Sequence, residues 1–104
     1  MSGHFSESEY VFCDLQDAYR YIRRGSPSAA RNFLAAAYDT FEFLASNPGV
    51  GRPRPEFGFK GLRSWRVQGF WRYLIFYREI GEDVQIWRVL HGSQDLQRLL
   101  RHQG

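Results

Sequence analysis

Cysteine is almost missing from this chain: Cys13 is the only one among 104 residues. A single thiol excludes an internal disulfide and a cysteine-built metal cage, and it fits a reducing compartment. The chain also has no uncharged apolar run approaching the roughly 18 residues of a membrane span, so no membrane contact is expected. Met1-Ser2-Gly3-His4 has neither the basic nor the apolar region of a secretory signal, and a cytoplasmic location is the expectation. Internal repeats, low-complexity tracts and linkers are missing as well. The histidines and the cysteine fall at spacings unsuited to a shared metal ion, and His4 and His102, near the ends, read as solvated. Neither a metal nor a cofactor is expected.

What remains is ample for a folded core. Hydrophobic residues make up 43% and aromatics 17% of the chain, which argues against disorder. The length suits a single domain over 1–104, burying about two-thirds of the surface of its unfolded chain. Net charge is +3, and it is unevenly spread. Residues 1–51 carry four Arg and six acids, net −2. Residues 52–78 carry six Arg and one Lys against Glu56 alone, net +6. The rest is net −1. A cationic middle segment attracts an acidic partner or a phosphate backbone. A solvated sheet face with internal ion pairs is the plainer alternative.

The pattern of elements is readable. A short strand is expected over 3–7. Ser8 reads as the N-cap of a helix over 9–24, with Val11, Leu15, Ala18 and Ile22 as its apolar stripe and Phe12 and Tyr19 widening it. Gly25 suits a left-handed residue after the helix end. Ser26-Pro27 opens a second helix over 27–46, whose buried face is Ala30, Phe33, Leu34, Ala37, Phe41 and Leu44. Asn47-Pro48-Gly49 stops it. The short link makes the two helices an antiparallel hairpin. Residues 51–55 form a restricted extended loop.

Strands are expected over 62–68, 71–79 and 84–91, with turns at Gly69-Phe70 and Gly81-Glu82-Asp83. The middle strand is apolar on both faces, with Trp71, Tyr73, Ile75 and Tyr77 on one and Leu74 and Phe76 on the other, so it should be central and covered twice. Ser93 reads as the cap of a last helical turn carrying Leu96, Leu99 and Leu100. The order is β-α-α-β-β-β with a short C-terminal helix. That is an α+β fold, with the helical hairpin on a curved antiparallel sheet. Leu15, Phe33, Phe41, Leu44, Ile75 and Ile86 are the expected core.

Several short pieces, in order, carry a resemblance. They are Asp14-Leu15 with Tyr21-Ile22, Ser26-Pro27-Ser28-Ala29-Ala30, and Leu44-Ala45 with Pro48-Gly49-Val50-Gly51-Arg52. Gly61-Leu62-Arg63 and Ile75-Phe76-Tyr77-Arg78 follow, and Arg88-Val89-Leu90-His91-Gly92 with Asp95-Leu96 ends the series. Over nearly its whole length the chain resembles the RelE/ParE toxins of type II toxin–antitoxin systems, and their ParE branch in particular.

The resemblance implies the same α+β fold and a cognate antitoxin as partner, in modules that stabilise plasmids. A ParE-like member would poison DNA gyrase and need no catalytic residue. A RelE-like member would cut mRNA on the ribosome, and here it would rely on Arg63, Arg66, Arg72 and His91. The departures favour ParE. The turn Gly92-Ser93-Gln94 has no cation, and the C-terminal segment has no tyrosine. The arginine expected of a nuclease falls near Leu74 unless the alignment slips to Arg72. A degenerate member that only binds its antitoxin is a third alternative. Assembly is left as a homodimer or a toxin–antitoxin hetero-oligomer.

The expected surface for target or antitoxin is Arg52, Arg54, Lys60, Arg63, Arg66, Arg72, Arg78, Arg88 and His91. Each has a plainer reading. Two or three of the strand arginines would pair with Asp14, Asp17 or Glu79. His91 would close the last strand by bonding to backbone. Trp65, Trp71 and Trp87 could stack on bases, but packing under the helices is the favoured expectation.

Overall fold

The computed structural model describes residues 3–101, without the side chain of Arg101; His102 lies outside the described residues. In chain order the elements are strand β1 (Phe5–Glu7), helices α1 (Val11–Gly25) and α2 (Pro27–Ser46), and strand β2 (Arg52–Pro53). Strands β3 (Arg63–Val67), β4 (Phe70–Ile80) and β5 (Asp83–His91) follow, then helix α3 (Leu96–Arg101). Short 3-10 turns at Pro48–Val50 and Pro55–Phe57 flank β2.

Helix α1 starts later than its sequence suggests. Ser8 is still held to the sheet, its N–H bonding the Ile86 carbonyl at 2.9 Å. Its hydroxyl accepts from the Tyr10 N–H in a turn ahead of the helix, and Tyr10 takes the cap position without a side-chain cap. Val11, Leu15 and Ala18 are buried as the stripe requires, whereas Phe12 is 67% exposed. Gly25 is the last helical residue and does not turn left-handed; the chain leaves through Ser26, which is extended. Ser26 then caps α2, its hydroxyl accepting from the Ala29 N–H at 3.1 Å, with Pro27 in the first turn.

The sheet order is β1-β5-β4-β3-β2. From β2 to β5 it is antiparallel, as expected. Strand β1 instead joins β5 in parallel, Phe5 opposite Val84 and Glu7 opposite Ile86. The sheet is therefore mixed. Strands β1 and β5 are joined by all the intervening chain and not by a tight turn, so their connection does not force them antiparallel. The two hairpin turns are tighter than read from sequence: Val67 pairs Phe70 and Ile80 pairs Asp83. Gly69 and Gly81 take the positive φ, +83° and +62°, that such two-residue loops demand.

Strand β4 lies between β3 and β5 and is covered on both faces. Beneath the helices, Tyr73, Ile75 and Tyr77 meet Leu15, Phe33, Phe41, Ile86 and Val89. On the other face, Phe76 and Leu90 meet Leu62 and the fully buried Leu100 of α3. Asp95, not Ser93, caps α3, its carboxylate accepting from the Arg98 N–H at 3.1 Å. Trp65 packs on the helix side, stacked on Phe43, and Trp87 packs on the opposite face against Phe59. Trp71 does neither and is 72% exposed.

One ion pair is internal. The Arg88 Nε and Nη2 each donate at 2.8 Å to the Asp14 carboxylate, which also accepts from the Val89 N–H at 3.0 Å. The guanidinium lies over the Tyr10 ring, 5.0 Å from its centroid. Both side chains are nearly out of solvent, so the bidentate geometry and the backbone donor offset the cost of burying the charges. Helix α1 is locked to β5 in one register.

Candidate functional site

The β2–β3 side of the sheet carries an open groove of about 880 Å³, lined in part by Arg52, Arg54, Arg66, Arg72, Trp71, Leu74 and His91. Among the described residues, no carboxylate lines it. Its shape follows from an irregularity between β3 and β4. Arg66 pairs Leu74 while Val67 pairs Phe70, so Trp71, Arg72 and Tyr73 have no partner in β3. A bulged strand bends and re-aims its side chains. Here Trp71 and Arg72 are released outward.

The loop carrying Arg52 and Arg54 is pinned in place. The Tyr77 hydroxyl donates to the Pro48 carbonyl and accepts from the Gly51 N–H, both at 2.8 Å. Gly51 lies so close over this ring that a Cβ there would overlap the hydroxyl. Burial lifts the Tyr77 phenol above its ordinary pKa, outweighing the Gly51 donor and the nearby Arg63 charge. Arg63 donates to the Gly51 carbonyl at 2.8 Å and the Gly49 carbonyl at 3.4 Å. Arg54 is fixed by the buried Ser64 hydroxyl at 2.7 Å and by Glu56 at 3.3 Å. The Glu56 carboxyl is held below its ordinary pKa, first by a backbone hydrogen bond and then by Arg54 and Arg52.

The cations so far grouped by sequence thus divide. Arg52, Arg54, Arg66 and Arg72 share the groove with His91. Lys60 and Arg63 border a separate cleft of about 470 Å³ on the far side of Arg54. Arg78 stands toward the other end of β4, donating to Gln85 at 3.2 Å. Arg88 is turned inward onto Asp14 and presents no charge to a partner. Asp17 and Glu79 form no ion pair among the described residues.

His91 closes a turn. Its Nδ1 faces the Ser93 N–H at 3.1 Å and the Ser93 hydroxyl at 2.7 Å, while its own N–H donates to the Gln94 side chain. Its ring stands edge-on to Tyr73 and Tyr21 beside a small pocket of about 300 Å³ that also contains Asp14 and Asp17. Burial raises the Tyr73 phenol above its ordinary pKa, with a smaller push from Tyr21. A ring nitrogen already accepting from backbone is poorly placed to take a substrate proton. Among the described residues no group of three or more His, Cys, Asp or Glu could hold a metal ion, and no helix is long and apolar enough to cross a membrane. What sequence reasoning missed is the outward turn of Trp71. The bulge that causes it leaves no signature beyond the shortened hairpin at Gly69.

A helical hairpin on a small mixed sheet is the fold that the resemblance to RelE/ParE toxins implied. Comparison with known proteins narrows the class. The family model for the ParE toxin of the type II toxin-antitoxin system, parDE, matches residues 9–96. Toxin ParE1 of Caulobacter vibrioides is 32% identical over 84 residues, covering 79% of this chain and 81% of that protein. The chain belongs to the ParE family of toxins of type II toxin–antitoxin systems. A solved structure from the chromosomal ParDE TA system of P. aeruginosa shares the fold, with a TM-score of 0.70 at 22% identity over 86% of this chain and 96% of that one.

Proposed function

We propose that this toxin inhibits DNA gyrase by binding it, without acid–base or covalent chemistry of its own, and that a cognate antitoxin neutralises it in the cytoplasm. The carrying observation is at His91, whose Nδ1 is engaged by Ser93 while no carboxyl, phenol or second imidazole among the described residues lines the groove with it. Family membership supports the same reading. The recognition surface is the set of exposed cations, Arg52, Arg66, Arg72, Arg78 and Lys60, with the half-buried Arg54 and Arg63 beside them. A disordered antitoxin segment with acidic and apolar residues docks on the sheet and the basic loop, ordering as it binds.

One observation favours a second reading. Arg66, Arg72 and His91 do line one groove, as a RelE-like ribosome-dependent nuclease would require. Arg63, the fourth candidate, is taken up by the Gly49 and Gly51 carbonyls. The two readings part on His91→Gln, which keeps a polar side chain and removes titration. A general acid or base contributes about 100- to 10,000-fold. Binding predicts nearly unchanged inhibition of gyrase supercoiling by the variant. Loss of toxicity on the nuclease scale, in a variant that still folds and binds antitoxin, together with mRNA cut on ribosomes by the wild type, sinks the gyrase reading. A protein doing neither only binds its antitoxin.

A further inference from the structure

We propose that the small pocket between α1 and β5 seats the guanidinium group of an arginine carried by a partner protein. The site is apart from the arginine-lined groove, sharing only His91 and Ser93 with it, and it stands whether or not the toxin acts on gyrase. Its lining reverses the charge of the groove. Among the described residues the pocket of about 300 Å³ holds two carboxylates and neither arginine nor lysine. Asp14 is already taken by Arg88 and by the Val89 N–H. Asp17 is exposed and makes no ion pair or side-chain hydrogen bond among the described residues. Even Arg20, one turn further along α1, forms no ion pair with it.

The second observation is Tyr73. It lines the pocket and is only 8% exposed, yet its hydroxyl has no hydrogen-bond partner among the described residues. A buried hydroxyl left unpaired costs free energy, and a donor entering the pocket removes that cost. Tyr21 stands one turn after Asp17 on the same side of α1 and is 62% exposed. Its phenol is close enough to that of Tyr73 to add to the rise in the Tyr73 pKa. The His91 ring meets both tyrosines edge-on. Aromatic walls thus frame one uncompensated carboxylate.

These features select the occupant. A neutral group covering Asp17 strips its water and supplies no counter-charge. A bare metal ion finds no cage of three or more His, Cys, Asp or Glu among the described residues. An ammonium is more strongly hydrated than a guanidinium, and Asp17 alone is left to replace that water. A guanidinium lies flat on an aromatic ring while its fork reaches a carboxylate. Free arginine adds an α-carboxylate for which this lining has no cation, so the group arrives on a peptide chain.

The test is an NMR titration of the isotope-labelled full chain with arginine capped as the acetyl amide, beside capped citrulline, capped lysine and free arginine. Saturable shifts should concentrate at Asp17, Tyr21, His91 and Ser93. Citrulline has nearly the same shape without the charge and should bind at least about tenfold more weakly, the lower end for a hydrogen bond to a charged group. Asp17→Asn should weaken capped arginine by a similar factor. Tyr73→Phe keeps the ring and should cost at least about twofold, the lower end for one hydrogen bond. Tyr21→Leu should cost about 2- to 25-fold, the range of one cation–π contact.

Asp39→Asn removes an exposed acid on α2 outside the pocket lining and should change nothing. Equal loss with Asp39→Asn means diffuse attraction and overturns the proposal, as does citrulline binding as tightly as arginine. Tighter binding of capped lysine makes the pocket an ammonium seat, and tighter binding of free arginine makes it an amino-acid site; either result overturns it. So does a wild-type dimer in sedimentation that disperses with Asp17→Asn, which puts an arginine of a second copy there. Capped arginine is measured without gyrase or antitoxin, so failure here leaves the proposed function untouched.

Discussion

Tyr77 shows how much one side chain can organise. It is fully buried under the helices, yet its hydroxyl reaches the chain just before β2 and holds both Pro48 and Gly51. The loop that presents Arg52 and Arg54 therefore hangs on a core residue. Tyr77→Phe leaves the Gly51 N–H without its partner and should cost about 1–3 kcal/mol, read as a lower denaturant midpoint. The pH dependence has a definite sign. The folded phenol has a pKa above its ordinary value, so its contribution is complete below about pH 10. It is then lost as pH rises from there through the folded pKa. Wild-type protein should lose stability above about pH 10, and Tyr77→Phe, weaker at neutrality, should lose it less steeply. Parallel alkaline unfolding curves for the two proteins would show that Tyr77 does not drive the loss.

Helix α2 is the element on which the rest is laid. Phe41 sits fully buried in it, edge-on to Phe5 of β1 at 5.5 Å and to Tyr38 at 5.2 Å. Phe41→Ala should cost about 3–5 kcal/mol, and a thermal melt unchanged by the substitution would take Phe41 out of the core. Such core positions were legible, because period 3.6 on the helices and alternation on β4 state directly which side faces inward. The expected core residues Leu15, Phe33, Phe41, Leu44, Ile75 and Ile86 are all buried. Element ends were less legible. Ser8 looks like a cap but answers to β5, and β2 is only two residues long, one of them Pro53. The candidate site was half legible. The arginines could be counted, but the direction of each depends on irregularities between Arg66 and Val67 and between Phe76 and Tyr77, where pairing shifts. Such a shift breaks the alternation that would otherwise assign faces. Arg88 therefore turned in onto Asp14, one of the pairings its plainer reading allowed, and Trp71 turned out, against expectation.

At the scale of the molecule, charge and connectivity matter most. The +6 of residues 52–78 is set against a chain whose other parts are slightly acidic, so a long-range field should guide an acidic antitoxin segment to one side. Its association rate should fall as salt rises toward physiological strength. A stopped-flow rate indifferent to salt would leave apolar docking to carry the encounter. Connectivity has a temporal side. The first strand is paired with the last, and Asp14 waits for Arg88, 74 positions later. Domains fold during synthesis from the N-terminus onward, but this one has no finished N-terminal part to fold. A chain halted after Ile80 should be cut readily by protease and bind no antitoxin, whereas the full chain resists. While translation is still short of β5, strand β1 has no neighbour and Asp14 no counter-ion. The fold should therefore close late, once Arg88 has been added.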